Sequence, residues 1–143
     1  MSEGHSRDRP VRAWIDKAEH DLIAAAELLK LGTECPFDIV CFHAQQCAEK
    51  YIKALLVSRS VDFPRTHDLR GLLQLVPSDV VLAIDTEEVV RLTRYVIEGR
   101  YPGDWDAIDR PDADRCLAAA RAVRASVQTL LPGSTPSAMK ERG

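Results

Sequence analysis

Residues 41–56, CFHAQQCAEKYIKALL, put two apolar rows and a polar row on one uninterrupted helical stretch, and few folds can satisfy that. At about 100° per residue, Val40, Ala44, Cys47, Tyr51, Ala54 and Leu55 share one side. That side is expected to face a core. Phe42, Gln45, Glu49, Ile52 and Leu56 form a second row roughly opposite. Burying each of its large apolar side chains contributes about 1.5–3 kcal/mol, so this row is not expected on a solvated face. The helix should be covered on two sides, by another helix of the chain or by the same helix of a second subunit. We expect a twofold homodimer with Phe42, Gln45, Glu49, Ile52 and Leu56 at its interface. Between the rows, His43, Gln46, Lys50 and Lys53 leave a narrow polar strip. Two readings stand side by side: the strip lines the edge of a ligand groove, or it only solvates the helix and bonds across the dimer.

The rest of the chain supplies the partners. Helices are expected over about 10–31, 36–58, 68–76, 78–98 (interrupted near Asp85-Thr86) and 111–131. Pro10 and Pro111 suit first turns, Gly32 suits the position past a helix end, and Pro77 stops the third helix. Ile15, Ala18, Leu22 and Leu29 recur at helical spacing, as do Ala113, Cys116, Leu117, Ala120, Val123, Val127 and Leu130. Trp14, Asp21 and Leu28 repeat every seven residues, which sets Asp21 between two large apolar groups. It reads either as a boundary carboxylate or as a partly buried one paired with an arginine. Short connections favour antiparallel neighbours, hence an all-α, up-and-down antiparallel bundle of four to five helices. Residues 1–9 read as a flexible N-terminus, 10–131 as the helical domain, and PGSTPSAMKERG, 132–143, as a disordered tail.

Composition removes several functions. The chain has 143 residues and a net charge of −3, which argues against nonspecific binding to a long polyanion. Cys35, Cys41 and Cys47 are six residues apart, so on a helix they diverge by about 120°. With Cys116 they read as core residues rather than metal ligands. No metal site and no cofactor is expected. No signal peptide and no apolar run long enough for a bilayer is evident, so a cytoplasmic setting without membrane contact is expected.

Two further polar groups stand out. In FPRTHDL, 63–69, Arg65 and His67 precede a helix start, where unpaired backbone N–H groups and an arginine fork suit an anion. The alternative use is a helix cap by Thr66 or Asp68, with His67 packed. In GRYPGDW, 99–105, Arg100 and Tyr101 follow a helix, and Tyr101 and Trp105 either fix the loop or stack on a base.

The order AEHDLIAAAELL, CFHAQQCAEKYIKALL, RTHDLRGLL, then a helix ending in RYP, resembles the HEPN domain family of prokaryotic all-α proteins. The resemblance runs from about Ala13 to Leu131. It implies a helical bundle that usually dimerises, nucleotide or RNA binding, and pairing with a minimal nucleotidyltransferase as one half of a toxin–antitoxin-like or substrate-binding system. His43, Gln46, Lys50, Arg65, His67, Arg100 and Tyr101 are then the candidate ligand-binding residues. Many catalytic members of the family are metal-independent ribonucleases with four to six residues between an arginine and the histidine that follows it. Here Arg59 and His67, like Arg12 and His20, have seven residues between them, and no histidine follows Arg100. A binding module is therefore expected ahead of a ribonuclease toxin with a non-standard Arg/His site, and that ahead of a purely structural dimerisation protein.

Overall fold

The structure, a computed structural model, describes residues 2–96 and 107–131, with side chains from Arg7 onward. Every regular element among the described residues is helical: α1 (Ser2–Leu29), α2 (Phe37–Ser58), α3 (Leu69–Gln74), α4 (Thr86–Val90) and α5 (Arg110–Leu130), with 3₁₀ turns at Gly32–Glu34 and Arg91–Tyr95. The sequence predicts this class, an all-α bundle of antiparallel neighbours.

The helix α2 is the central pillar, packed by α1 on one side and α5 on another. Val40, Ala44, Cys47, Tyr51, Ala54 and Leu55 are all buried, as their shared side requires. From α1 the buried stripe is Val11, Ile15, Ala18 and Ala25; from α5 it is Ala113, Cys116, Leu117, Ala120, Val123 and Val127. All four cysteines are reduced and buried, in keeping with core packing.

The second row of α2 requires a correction. Gln45, Glu49, Ile52 and Leu56 are buried within this one chain, so they offer no surface to a second copy. The chain between α2 and α3, together with Leu69, Leu72 and the Arg91–Tyr95 turn, folds back over that side. The cover is therefore intramolecular, one of the two possibilities the pattern allowed. Only Phe42 of the five remains half-buried, edge-on to His43 with ring centroids 5.4 Å apart.

Two helix boundaries also differ. α1 starts at Ser2 and runs through Pro10, although proline removes a backbone donor and crowds the preceding turn. Arg7, one turn earlier, holds that turn to the end of α2: its Nη1 donates to Ser58 O at 3.4 Å and to Ser60 Oγ at 2.5 Å. Past the other end of α1, Gly32 takes φ +62°, the left-handed conformation glycine adopts without strain. Residues 78–84 are not helical. Val80, Leu82 and Ile84 are half-buried while Val81 and Ala83 are exposed, a period of two that belongs to extended chain. The Ala83 N–H donates to Ser126 Oγ at 2.9 Å, tying this segment to α5.

The start of α5 is built from side chains. Asp109 accepts from the Asp112 N–H and Asp112 accepts from the Asp109 N–H, both at 3.1 Å, with Pro111 in the first turn. These hydrogen bonds hold the Asp112 carboxyl below its ordinary range. Asp109→Ala removes the cap and is expected to cost about 1 kcal/mol, read as a lower urea midpoint at unchanged m-value.

Candidate functional site

The polar strip of α2 faces α1, and two carboxylates, Asp21 and Glu49, organise it. Asp21 sits on α1 beside Trp14, with which it shares a face. It accepts from His43 Nδ1 at 2.8 Å and from Lys50 Nζ at 2.5 Å. A carboxylate only accepts, so Nδ1 carries the proton and Nε2 keeps the basic lone pair of the neutral ring. Asp21 is thus a paired, largely buried carboxylate, as one of the two sequence readings has it. Its cations come from α2, however, and neither is an arginine.

Glu49 organises the second group. It accepts from Gln45 Nε2 at 2.8 Å, Lys53 Nζ at 3.0 Å and His67 Nδ1 at 2.8 Å. Gln46 Nε2 donates to Gln45 Oε1 at 2.6 Å. Gln46, Gln45, Glu49 and His67 therefore form one hydrogen-bonded chain from α2 to the segment before α3. Lys53 Nζ lies 5.4 Å from the Trp14 ring centre and 5.7 Å from that of Phe63. Those two rings meet edge to face at 6.2 Å. A desolvated ammonium gains from aromatic faces, which explains how Lys53 tolerates burial beside a single carboxylate.

A third carboxylate, Glu19, is structural. Arg124 Nε and Nη2 reach Glu19 Oε2 and Oε1 at 2.7 and 3.1 Å, a planar fork from α5 to α1. Tyr51 Oη donates to Glu19 Oε2 at 2.5 Å, and Gln128 Nε2 donates to Tyr51 Oη at 3.4 Å. The three long helices are clasped through one buried carboxylate. Burial, then the Glu19 contact, pushes the Tyr51 phenol well above its ordinary 10.0. Burial likewise pushes the Cys47 thiol above its ordinary 9.0. Both groups are neutral in the fold, so their stabilisation is complete below those ordinary values and is lost as pH rises past them. Thermal unfolding midpoints are expected to fall steadily from pH 9 to 11, and less steeply in Tyr51→Phe.

The predicted ligand residues separate into those brought together and those not placed. His43, Gln46 and Lys50 line one row of α2, and His67 joins them through Glu49 and Gln45. Arg65 is exposed two residues before His67. Thr66 Oγ1 accepts from the Asp68 N–H at 3.1 Å, but neither side chain caps α3: Asp68 occupies its N-cap position without a side-chain hydrogen bond, and the Leu69 N–H donates to Thr93 Oγ1 at 3.2 Å instead. Arg100 and Tyr101, with Trp105, lie outside the described residues. Gln45 and Glu49, expected at an interface, are instead the interior of this site. Sequence reasoning missed the Trp14–Phe63 pair and the role of Glu19, whose partner is 105 positions away. An apolar cleft of about 430 Å³ between α3 and the 76–86 segment, lined in part by Leu73, Val80, Leu82 and Ile84, shares no residue with the strip. No group of three or more metal-ligating side chains occurs among the described residues, and no described helix is long and apolar enough to cross a membrane.

An all-α bundle with this strip defines a class. The HEPN domain model matches residues 11–130, and the chain belongs to the HEPN domain family. It is similar to the protein described as "Putative toxin MJ1304" of Methanocaldococcus jannaschii, 29% identical over 122 residues, 74% of this chain and 78% of that one. It is also similar to the crystal structure of TT1696 from Thermus thermophilus, with a TM-score of 0.72 and 32% identity over 83% of this chain and 96% of that one. A second crystal structure, of ST0689, an archaeal HEPN homologue, aligns with a TM-score of 0.66 and 28% identity over 85% of this chain and 97% of that one.

Proposed function

We propose that this HEPN domain binds a phosphate-bearing ligand, a nucleotide or RNA, along His43, Gln46 and Lys50, with Arg65 and His67 at the rim. In this reading it is one half of a toxin–antitoxin-like pair whose other half is a minimal nucleotidyltransferase. The observation that carries it is the convergence of two histidines and two lysines on two carboxylates, Glu49 buried and Asp21 largely so. Asp21 and Glu49 fix the rings and ammonium groups in place while solvent still reaches His43, Lys50 and His67. Cations held in position lose little entropy on meeting an anion. The relative named as a toxin supports the two-part setting.

Calorimetric titration of the purified chain with AMP, ATP and short single-stranded RNAs, alone and with a co-expressed nucleotidyltransferase, tests the reading. Binding of at least one phosphate compound is expected; no heat in any titration would contradict it. A homodimer remains part of the proposal, formed through surfaces other than the buried row, and mass in solution decides it.

A second reading, a metal-independent ribonuclease, is favoured by one observation: Asp21 orients His43 so that Nε2 is the basic atom. That nitrogen could take the proton of a 2′-hydroxyl as general base. RNA incubated with the protein and a chelator should then be cleaved by the wild type and not by His43→Ala.

A further inference from the structure

The strip closes toward its Lys53 end. Along α2, side-chain exposure falls from 26% at His43 to 20% at Lys50 and 7% at Lys53. The reason is the path of the two flanking segments. On one flank runs α1, held to the strip through Asp21 and Trp14. On the other runs the chain that returns from the end of α2, held through Phe63 and His67. At the level of Lys53 the flanks touch, ring against ring, through Trp14 and Phe63. The furrow therefore ends blindly at an aromatic wall.

A nucleic-acid strand lying in such a furrow has no exit past Trp14 and Phe63. We propose that the site takes a molecular end, a terminal phosphate monoester carried by a mononucleotide or by an RNA terminus, and excludes a strand that continues in both directions. This rests on the reading of the strip as a phosphate site. Cations stand along the strip and on both of its rims. Lys50 and Lys53 lie along the strip. Lys17 is exposed on α1, four residues before Asp21 and three after Trp14, a spacing that sets all three on one helix face. Arg65 stands exposed on the opposite rim, between Phe63 and His67. These four cations face two carboxylates, Asp21 and Glu49. Asp62 and Asp68 are exposed in the same returning segment, just before Phe63 and just after His67. An internal phosphodiester carries one charge, whereas a terminal monoester carries nearly two at pH 7.

The test uses the full chain and four probes: AMP, a single-stranded RNA 12-mer with a terminal phosphate, its phosphate-free counterpart, and a circular RNA of the same sequence. The terminally phosphorylated 12-mer is expected to bind about tenfold or more tightly than the circle and the phosphate-free strand, the loss expected for one or two charge-assisted hydrogen bonds. Lys17→Ala and Arg65→Ala, both at exposed positions, are expected to narrow that preference without unfolding the chain. Phe63→Ala, which opens the wall, is expected to raise binding of the circle. A circle that binds the wild type as tightly as the phosphorylated strand would overturn end recognition alone. Failure of AMP and all three RNAs to bind would overturn the phosphate-site reading and this proposal with it.

Discussion

Arg124→Ala is expected to destabilise the domain by about 3–5 kcal/mol, the largest effect of any single polar substitution considered. The cause is electrostatic. Glu19 is buried, and Arg124 supplies two of its three hydrogen bonds through a planar fork. Breaking a buried pair by deleting one partner leaves the other charge desolvated and uncompensated, which costs far more than the net worth of the intact pair. Tyr51 would still donate to Glu19, but a neutral phenol does not replace a guanidinium. Thermal denaturation should register a fall of roughly 10 °C or more. The paired replacement, Glu19→Gln with Arg124→Met, is expected to recover much of that loss because neither charge then stays buried alone. A small effect of Arg124→Ala would mean that Glu19 reaches solvent or another cation.

Lys50→Met is expected to weaken binding of a phosphate ligand by roughly 10- to 100-fold, the value of one charge-assisted hydrogen bond. Its stability effect should be smaller than that of Arg124→Ala, because Asp21 keeps His43 and remains partly accessible. Methionine preserves the packing of the lysine stem against α1, so lost binding in a folded variant reports on the charge. His43→Gln, which keeps a donor for Asp21 but removes the imidazole base, separates binding from proton transfer. Retained binding with lost RNA cleavage would favour the ribonuclease reading. Equal loss of both would place His43 in ligand recognition.

Much of this was legible in the residues of α2 and little of it elsewhere. The period of 3.6 sorted α2 into a core row, a polar strip and a second buried row, and the structure keeps that division. What covered the second row was not legible, because a wheel reports that a face is apolar and not which segment reaches it. The connection after Ser58 turns at Ser60, which adopts φ +58°, with Val61 N–H bonded back to Leu56 O at 2.9 Å. That turn sends Phe63 and His67 back along α2, and a serine gives no advance notice of it. At 80–84 the alternation of Val80, Leu82 and Ile84 marks extended chain, and the helix expected over 78–98 starts only after the Asp85 cap. The neighbours Trp14 and Leu28 mark Asp21 as unusual in the sequence, and the row on α2 marks His43 and Lys50, but only the packing of α1 on α2 joins them.

The proposed function requires that the polar edge of α2 between α1 and the returning 61–67 segment receive a phosphate group. Amide chemical-shift mapping of the isotope-labelled chain during titration with AMP measures this most directly. Saturable shifts concentrated at residues 43–50 and 65–67, abolished in Lys50→Met, are the expected result. Shifts confined to the apolar cleft around Leu73, Val80 and Ile84, or none at all, would contradict it.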